Sequence, residues 1–494
     1  MRGVGLVMLP VVLAAIAAGC TTKKDEPPLA TREQLLDPKT CTKCHADHYR
    51  EWSGSMHAYA SDDPVFRAMN KRGQRETGGA LGKFCVNCHA PMAVRDGKTT
   101  DGLNLDALDP KYKGITCYFC HSIDNVDGAH NASVRLSDDL VMRGEYANPV
   151  ANDTHRAGYS VLHDRDQADS AKLCGACHDI TNDHGANIER TFAEWQASVF
   201  SKLGGGDTCS QCHMNQSPAL RPIADAPNVF SREYHSHAFA GIDTALTPFP
   251  EADAQKQAVD DLLKTTLQGS VCVEASGNNS AIAVVLDAAG DGHAFPSGSA
   301  QDRRVWVEVV ASNAGQVVFQ SGVVPDKTSV TALQDPNLWL LRDCMFDDQS
   351  KEVRMFWQAS SFEGNALPAQ VTFDPTDKAF FQSHIVQYYP RDPKNNLIRS
   401  AIDHVQVRVR LLPMGYDVID DLVASGDLDG AVRDKLQIHD VFSMEWTADA
   451  VAPSNPNKFT DADTALTAYC ASNPAGFSGA ADKVPAVNHT KCAP

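Results

Sequence analysis

Between Cys41 and His213 the pattern Cys-x-x-Cys-His occurs five times: Cys41-Thr-Lys-Cys44-His45, Cys85-Val-Asn-Cys88-His89, Cys117-Tyr-Phe-Cys120-His121, Cys174-Gly-Ala-Cys177-His178 and Cys209-Ser-Gln-Cys212-His213. Two thiols at this spacing, with an imidazole beside the second, form the attachment sequence of a c-type haem. The thiols bond covalently to the porphyrin edge, and the imidazole is placed to ligate the iron. No cysteine inside the stretch lies outside a motif. The gaps are too short for each site to own a conventional apolar core, so the expected interior is the cofactor itself. Short helices with long loops are predicted, carrying five haem c groups, and residues 41–240 are not expected to fold without them.

The 494-residue chain leaves ample length after these motifs for a second hydrophobic core. A net charge of −18 argues against nucleic acid or an anionic membrane surface as the main partner. Residues 1–20 read as an export signal: Arg2 supplies the positive start, Val4 to Ala18 the apolar run, and Ala17-Ala18-Gly19-Cys20 resembles a lipobox with Cys20 as the lipidated residue. Residues 21–37 form a polar tether, and nothing later is long and apolar enough to cross a bilayer. The expectation is an exported bacterial lipoprotein, anchored through Cys20 and facing the periplasm or cell surface. In that oxidising compartment Cys272, Cys344, Cys470 and Cys492 are disulfide candidates. Three pairings are possible, and the shorter loops favour Cys272–Cys344 with Cys470–Cys492.

Every iron has a second axial position. The haem half offers His48, His57, His130, His155, His163, His184, His235 and His237 beyond the motif histidines, a surplus that favours ligation by two histidines. Met56, Met92 and Met214 are the alternatives, although Met92 and Met214 follow their own motifs too closely to reach the far side of that iron. Further along, Gly292-His293-Ala-Phe295-Pro296-Ser-Gly298 presents His293 either as a ligand reaching back to a haem or as a turn histidine bonded within its own domain.

Locally, His45 to Tyr59 can be helical, and Asp63-Pro64 starts a second helix. Thr191-Phe-Ala-Glu194 reads as a capping box. From Glu251 the composition changes. Glu251–Leu267 has helical spacing, and strand-like runs follow at Ser270–Glu274, Ala281–Leu286, Arg304–Ala311, Gln316–Gln320, Phe380–Tyr389 and Val405–Leu411. In the last run Val405, Val407, Val409 and Leu411 alternate with Gln406, Arg408 and Arg410, the mark of a strand with one buried face. A helical stretch near Val418–Leu436 is expected to end the ordered core. Asp427-Leu-Asp429-Gly430 lacks the further oxygen ligands of a calcium loop. The expected fold is α+β overall: a pentahaem domain of short helices and loops at 38–245, a linker helix at 246–270, and an antiparallel β-sandwich-like domain with a terminal helix and tail at 271–494.

The haem half resembles the cytochrome c-554 family of multihaem electron carriers. Cys41 to His45 followed by Trp52 and His57-Ala58 is similar to its opening, Gly114-Ile-Thr-Cys117 through His121 with His130 to its third site, and Leu173-Cys174 through His178 to its fourth. The resemblance implies that His57 and His130 are distal ligands to haems other than their sequence neighbours, and that the second site, at His89, is the first candidate for five-coordination. Larger relatives with an appended β domain imply a ligand role for His237 within Ser236-His237-Ala-Phe-Ala-Gly241, and for His293. His155 is carried as a further distal candidate from the histidine surplus. Two functions are open on this basis: electron transfer between redox proteins, or reduction or oxidation of small nitrogen or sulfur compounds at one haem with an open position. Pentahaem nitrite reductases use Cys-x-x-Cys-Lys at the catalytic haem, and this chain has no such motif.

Overall fold

The computed structural model describes residues 29–152, 154–214, 220–374, 376–392, 396–448, 484–488 and Cys492. Cys20, the export signal and Cys470 lie outside the described residues. The fold is an α+β mixture with a C-terminal β domain.

In the haem half the helices are short. The first long run breaks into Ala46–Ser53 and Met56–Tyr59 at Gly54-Ser55, where the Ser55 hydroxyl caps the second piece. Pro64–Glu76 is the longest helix here. The Asp63 carboxylate accepts from the Val65 and Phe66 amides, and Pro64 occupies the first turn, where its missing N–H costs nothing. Four of the five motifs are themselves short helices or helix ends: Val86–His89, Cys117–Ser122, Ala171–Gly175 and Cys209–His213. Small two-stranded pairs link them, among them Ile180–Thr181 with Asn187–Glu189 and the parallel pair Val141–Gly144 with Arg156–Tyr159.

The helix Ala252–Leu263 leads into two main antiparallel sheets, beside a smaller one of Glu352–Val353, Asp343–Phe346 and Ser361–Gly364. One runs in the order Ile385–Tyr389, Asn279–Asp287, Gln268–Ser276. The other runs Gln316–Ser321, Arg304–Asn313, His404–Leu412, His439–Thr447, with Trp339–Leu341 also paired to Arg304–Asn313. Their facing sides make the main core, in which Ile282, Val284 and Leu286 meet Val305, Val307, Val309, Val405, Val407 and Val409. Each of these side chains is fully buried, contributing on the order of 1.5–3 kcal/mol. On the other face Arg408 and Arg410 pair with the buried Glu308 and with Asp440.

The structure corrects several expectations. His439–Thr447 is a strand beyond the helix Tyr416–Ala424, paired with His404–Leu412 from His404 to Leu411. A bulge between Val409 and Arg410 shifts its register and blurs its alternation. Phe380–Ser383 is a 3₁₀ turn, so that strand begins at Ile385. The disulfide pairing differs too: Cys344 bonds Cys492, across a sequence separation of 148. Cys272 is also disulfide-bonded, to a partner outside the described residues. Closure entropy grows only logarithmically with loop length, so it cannot outweigh the path of the tail, which pairs Ala486 with Val386 before reaching Cys344.

Helix Pro64–Glu76 makes two of the several contacts that join the halves. Val65, Ala68 and Met69 of helix Pro64–Glu76 pack on Val418, Ile419 and Leu422 of helix Tyr416–Ala424, and Arg72 bonds Asp421 at 2.7 Å. Arg75 forms a paired hydrogen bond with Asp427, which accounts for the aspartate that a calcium loop would otherwise claim.

Candidate haem-binding site

Each motif histidine holds an acceptor at Nδ1. Nδ1 of His45 donates to Ile223 O at 2.9 Å, that of His89 to Ala60 O at 3.0 Å and that of His213 to Ala240 O at 2.7 Å; Nδ1 of His121 donates to Arg143 O. Nδ1 of His178 faces the Glu189 carboxylate at 3.5 Å. A proton fixed on Nδ1 leaves the Nε2 lone pair for a metal.

Opposite four of these rings stands another histidine. Ring centres are 6.3 Å apart in His45–His155, His57–His178, His121–His237 and His213–His293. A histidine–metal bond is about 2 Å and the ring centre lies about 1.1 Å beyond the nitrogen, so two imidazoles sharing one iron have centres about 6.3 Å apart. The residues present therefore fit an iron held by two histidines at four motifs. Among the partners, Nδ1 of His155, His237 and His293 also donates to a backbone carbonyl, respectively Arg156 O, His235 O and Ala294 O. Burial holds His57, His213 and His237 neutral by lowering their pKa to about 3, 4 and 3, the protonation state a ligand requires.

The remaining motif histidine, His89 of the second motif, has a different neighbour. Phe66, in the first turn of helix Pro64–Glu76, stacks on its ring at 3.8 Å with an interplanar angle of 3°.

The remaining candidates have other places. His130 is exposed on the turn after Ile123–Val126, near Asp179, and enters none of the four pairs. His163 lies 5.7 Å from His121, but its Nε2 bonds Cys120 O at 2.8 Å. His48 packs edge-on to His237 and against Tyr234, and His235 pairs with Glu145 at 2.7 Å. His184 sits exposed in the turn of the Ile180–Glu189 hairpin. Met92 is fully buried among Leu35, Leu36 and Val86, a packing residue.

The motif thiols order the sites. The side chain of Cys41 neighbours that of Cys117, Cys88 neighbours Cys177, and Cys174 neighbours Cys209. Cys120 in turn lies within electrostatic reach of Cys174 and Cys177. The fourth motif thus neighbours the second, third and fifth, and the third leads on to the first.

The loop carrying His293 is held by the predicted capping box, which does not cap. Arg190 is the N-cap residue of helix Thr191–Ala197 and makes no side-chain cap bond. Thr191 Oγ1 instead accepts from the Gly298 amide at 3.0 Å and bonds Ser297, while Glu194 accepts from the Ser297 hydroxyl at 2.6 Å and the Ala294 amide at 3.2 Å. Asp291 lies 3.2 Å from His293 Nδ1, and burial pushes its carboxyl up to about 6. The pair expected to act locally has been redirected across the junction. Sequence reasoning missed Phe66, Glu189 and the carbonyl acceptors; only Glu189 carried a signal, as a carboxylate eleven residues after a motif histidine across a short Gly-containing turn.

Residues 40–122 match the family model described as cytochrome c554 and c-prime. A similar solved structure is a penta-haem cytochrome c552 from Thermochromatium tepidum, with a TM-score of 0.56 and 19% identity over 84% of this chain and 99% of that one. That likeness is one of fold. No curated protein matches the chain.

Proposed function

We propose that this chain, a multihaem c-type cytochrome, holds five haem c groups and passes single electrons between redox proteins. The observation that supports the reading is the set of four facing histidine pairs at one common spacing. When bound, haem supplies the one-electron ferric–ferrous couple. The chain's residues do the rest. His45 with His155, His57 with His178, His121 with His237 and His213 with His293 would hold four of the irons from both sides, leaving substrate no open place at those four sites. The carbonyls on Nδ1 fix ring orientation and tautomer, which keeps the ligand set the same in both oxidation states. Neighbouring cysteines of different motifs would place successive haems close together, as rapid electron hopping requires. Export and a lipid anchor at Cys20, outside the cytoplasm where c-type haem is attached, belong to the same proposal, and the acidic chain suits an electropositive face on a partner.

A second reading rests on one site. Among the described residues His89 is flanked by Phe66 and faced by no second histidine, so the second motif is where small nitrogen or sulfur compounds would reach an iron. Electron paramagnetic resonance of the oxidised full chain, with haem counted by pyridine haemochrome, separates the two. The carrier reading expects five haems per chain and four low-spin irons, with no change on adding nitrite or hydroxylamine. A high-spin signal that shifts with either compound supports the enzyme reading. A majority of high-spin iron would refute the pairing on which the carrier reading stands.

A further inference from the structure

Four motif histidines rest on neutral carbonyls, whereas His178 faces a carboxylate. The hairpin that follows the motif, Ile180–Thr181 paired with Asn187–Glu189, folds Glu189 back beside the ring it has just left. That side chain is only 13% exposed, so solvent screens its charge weakly. Beyond it stands Arg303 of the β domain. Gly298 brings the two together: a Cβ there would lie 3.5 Å from an Arg303 nitrogen and 3.8 Å from Glu189 Oε1. Arg303 is buried and fixed by a bidentate pair with Asp243 at 2.9 and 3.0 Å, and by Ser297 O and Pro413 O.

We propose that Glu189 is a positioning residue that lowers the reduction potential of the haem on Cys174 and Cys177 below that of its neighbours, and that Arg303 partly opposes it, so that docking of the β domain sets the potential at the branch point of the chain. The physical reason is the sign of the charge. Oxidation adds one positive charge at the iron, and a carboxylate against the axial imidazole stabilises that charge more than any carbonyl does. A buried guanidinium beyond the carboxylate subtracts from the effect. Because the fourth motif neighbours the second, third and fifth, the potential there governs whether an electron rests at the junction or moves on to a branch. The inference deepens the haem reading and rests on it.

The test is a potentiometric titration of the full-length holoprotein, followed by optical and electron paramagnetic resonance spectra, with haem counted in each sample. Glu189→Gln keeps the shape and removes the charge. One of five midpoints is expected to rise by about a tenfold change in the reduced-to-oxidised ratio, about 59 mV for one electron. Glu189→Asp is expected to restore most of the shift, and Arg303→Gln to move the same midpoint downward. Five haems with every midpoint unmoved in Glu189→Gln, or all five moved together, would overturn the proposal. So would loss of haem from Glu189→Gln alone, which would make Glu189 structural. Fewer than five haems in the unaltered protein would instead overturn the haem reading itself.

Discussion

His293 offers the sharpest test of how the two halves are joined. It belongs to the β domain, yet its ring lies 6.3 Å from that of His213 with an interplanar angle of 5°, the spacing of two imidazoles on one iron. With four histidine pairs and one Phe-flanked site, about one-fifth of the iron in the unaltered chain is expected to be high-spin. His293→Ala removes one ligand and leaves the loop's other anchors: Thr191 on Gly298, Glu194 on Ser297 and Ala294, and Arg303 on Asp243. The high-spin share should therefore double to about two-fifths without loss of the fold. Spin integration of the ferric protein by electron paramagnetic resonance measures this directly, and circular dichroism checks the fold. Added imidazole is expected to reverse the change by occupying the position that the side chain left. A share that stays at one-fifth in a folded variant would show that His293 is a turn histidine, bonded only to Ala294 O and Asp291.

Other expectations follow from burial and topology. The Asp302 carboxyl is buried with neither oxygen hydrogen-bonded, and burial raises its pKa to about 7 from 3.8. Its ionised form costs stability as pH rises between those values, so Asp302→Asn should stabilise by about 2–3 kcal/mol more at pH 8 than at pH 5; urea titrations at both pH values that show equal gains would refute this. Cutting Cys344–Cys492 by Cys344→Ser opens a loop of sequence separation 148 and should destabilise the β domain, with about 5 kcal/mol as the chain-entropy ceiling; denaturant midpoints with and without reductant provide the check. Produced without haem attachment, residues 41–240 are expected to lack stable tertiary structure, and protection of their amides from hydrogen exchange in that state would contradict the view that cofactor is their interior.

The β domain was legible where one face is apolar and the other charged. Val405, Val407, Val409 and Leu411 announce a strand, and all four are fully buried. The following strand was hidden because Val441 and Phe442 are adjacent apolar residues at a bulge, which breaks the period-two pattern. Thr191 and Glu194 match a local capping rule, but their oxygens are taken by a loop a hundred residues away. The sites divide in the same way. The attachment residues are local chemistry and are read directly from spacing. Which histidine faces which depends on a tertiary path: His155 is brought to His45 by the parallel pairing of Val141–Gly144 with Arg156–Tyr159, and no sequence interval predicts that.

The distribution of these partners gives the β domain a role beyond bulk. The first and third motifs are completed within the haem half, by His155 with Ile223 O and by His237 with Arg143 O. The other three meet the C-terminal half. His293 faces the fifth motif, Arg303 stands behind Glu189 at the fourth, and Tyr416–Ala424 packs on the helix whose Phe66 stacks on the second. A domain attached only as a docking module would need none of these contacts. One that supplied a ligand, a buried charge and a packing face to three of the sites, as proposed, would act on their coordination and potential together. Mutations at the junction should accordingly change the spectra and midpoints of the second, fourth and fifth sites before those of the first and third, and uniform changes across all five would show that the junction is only a scaffold.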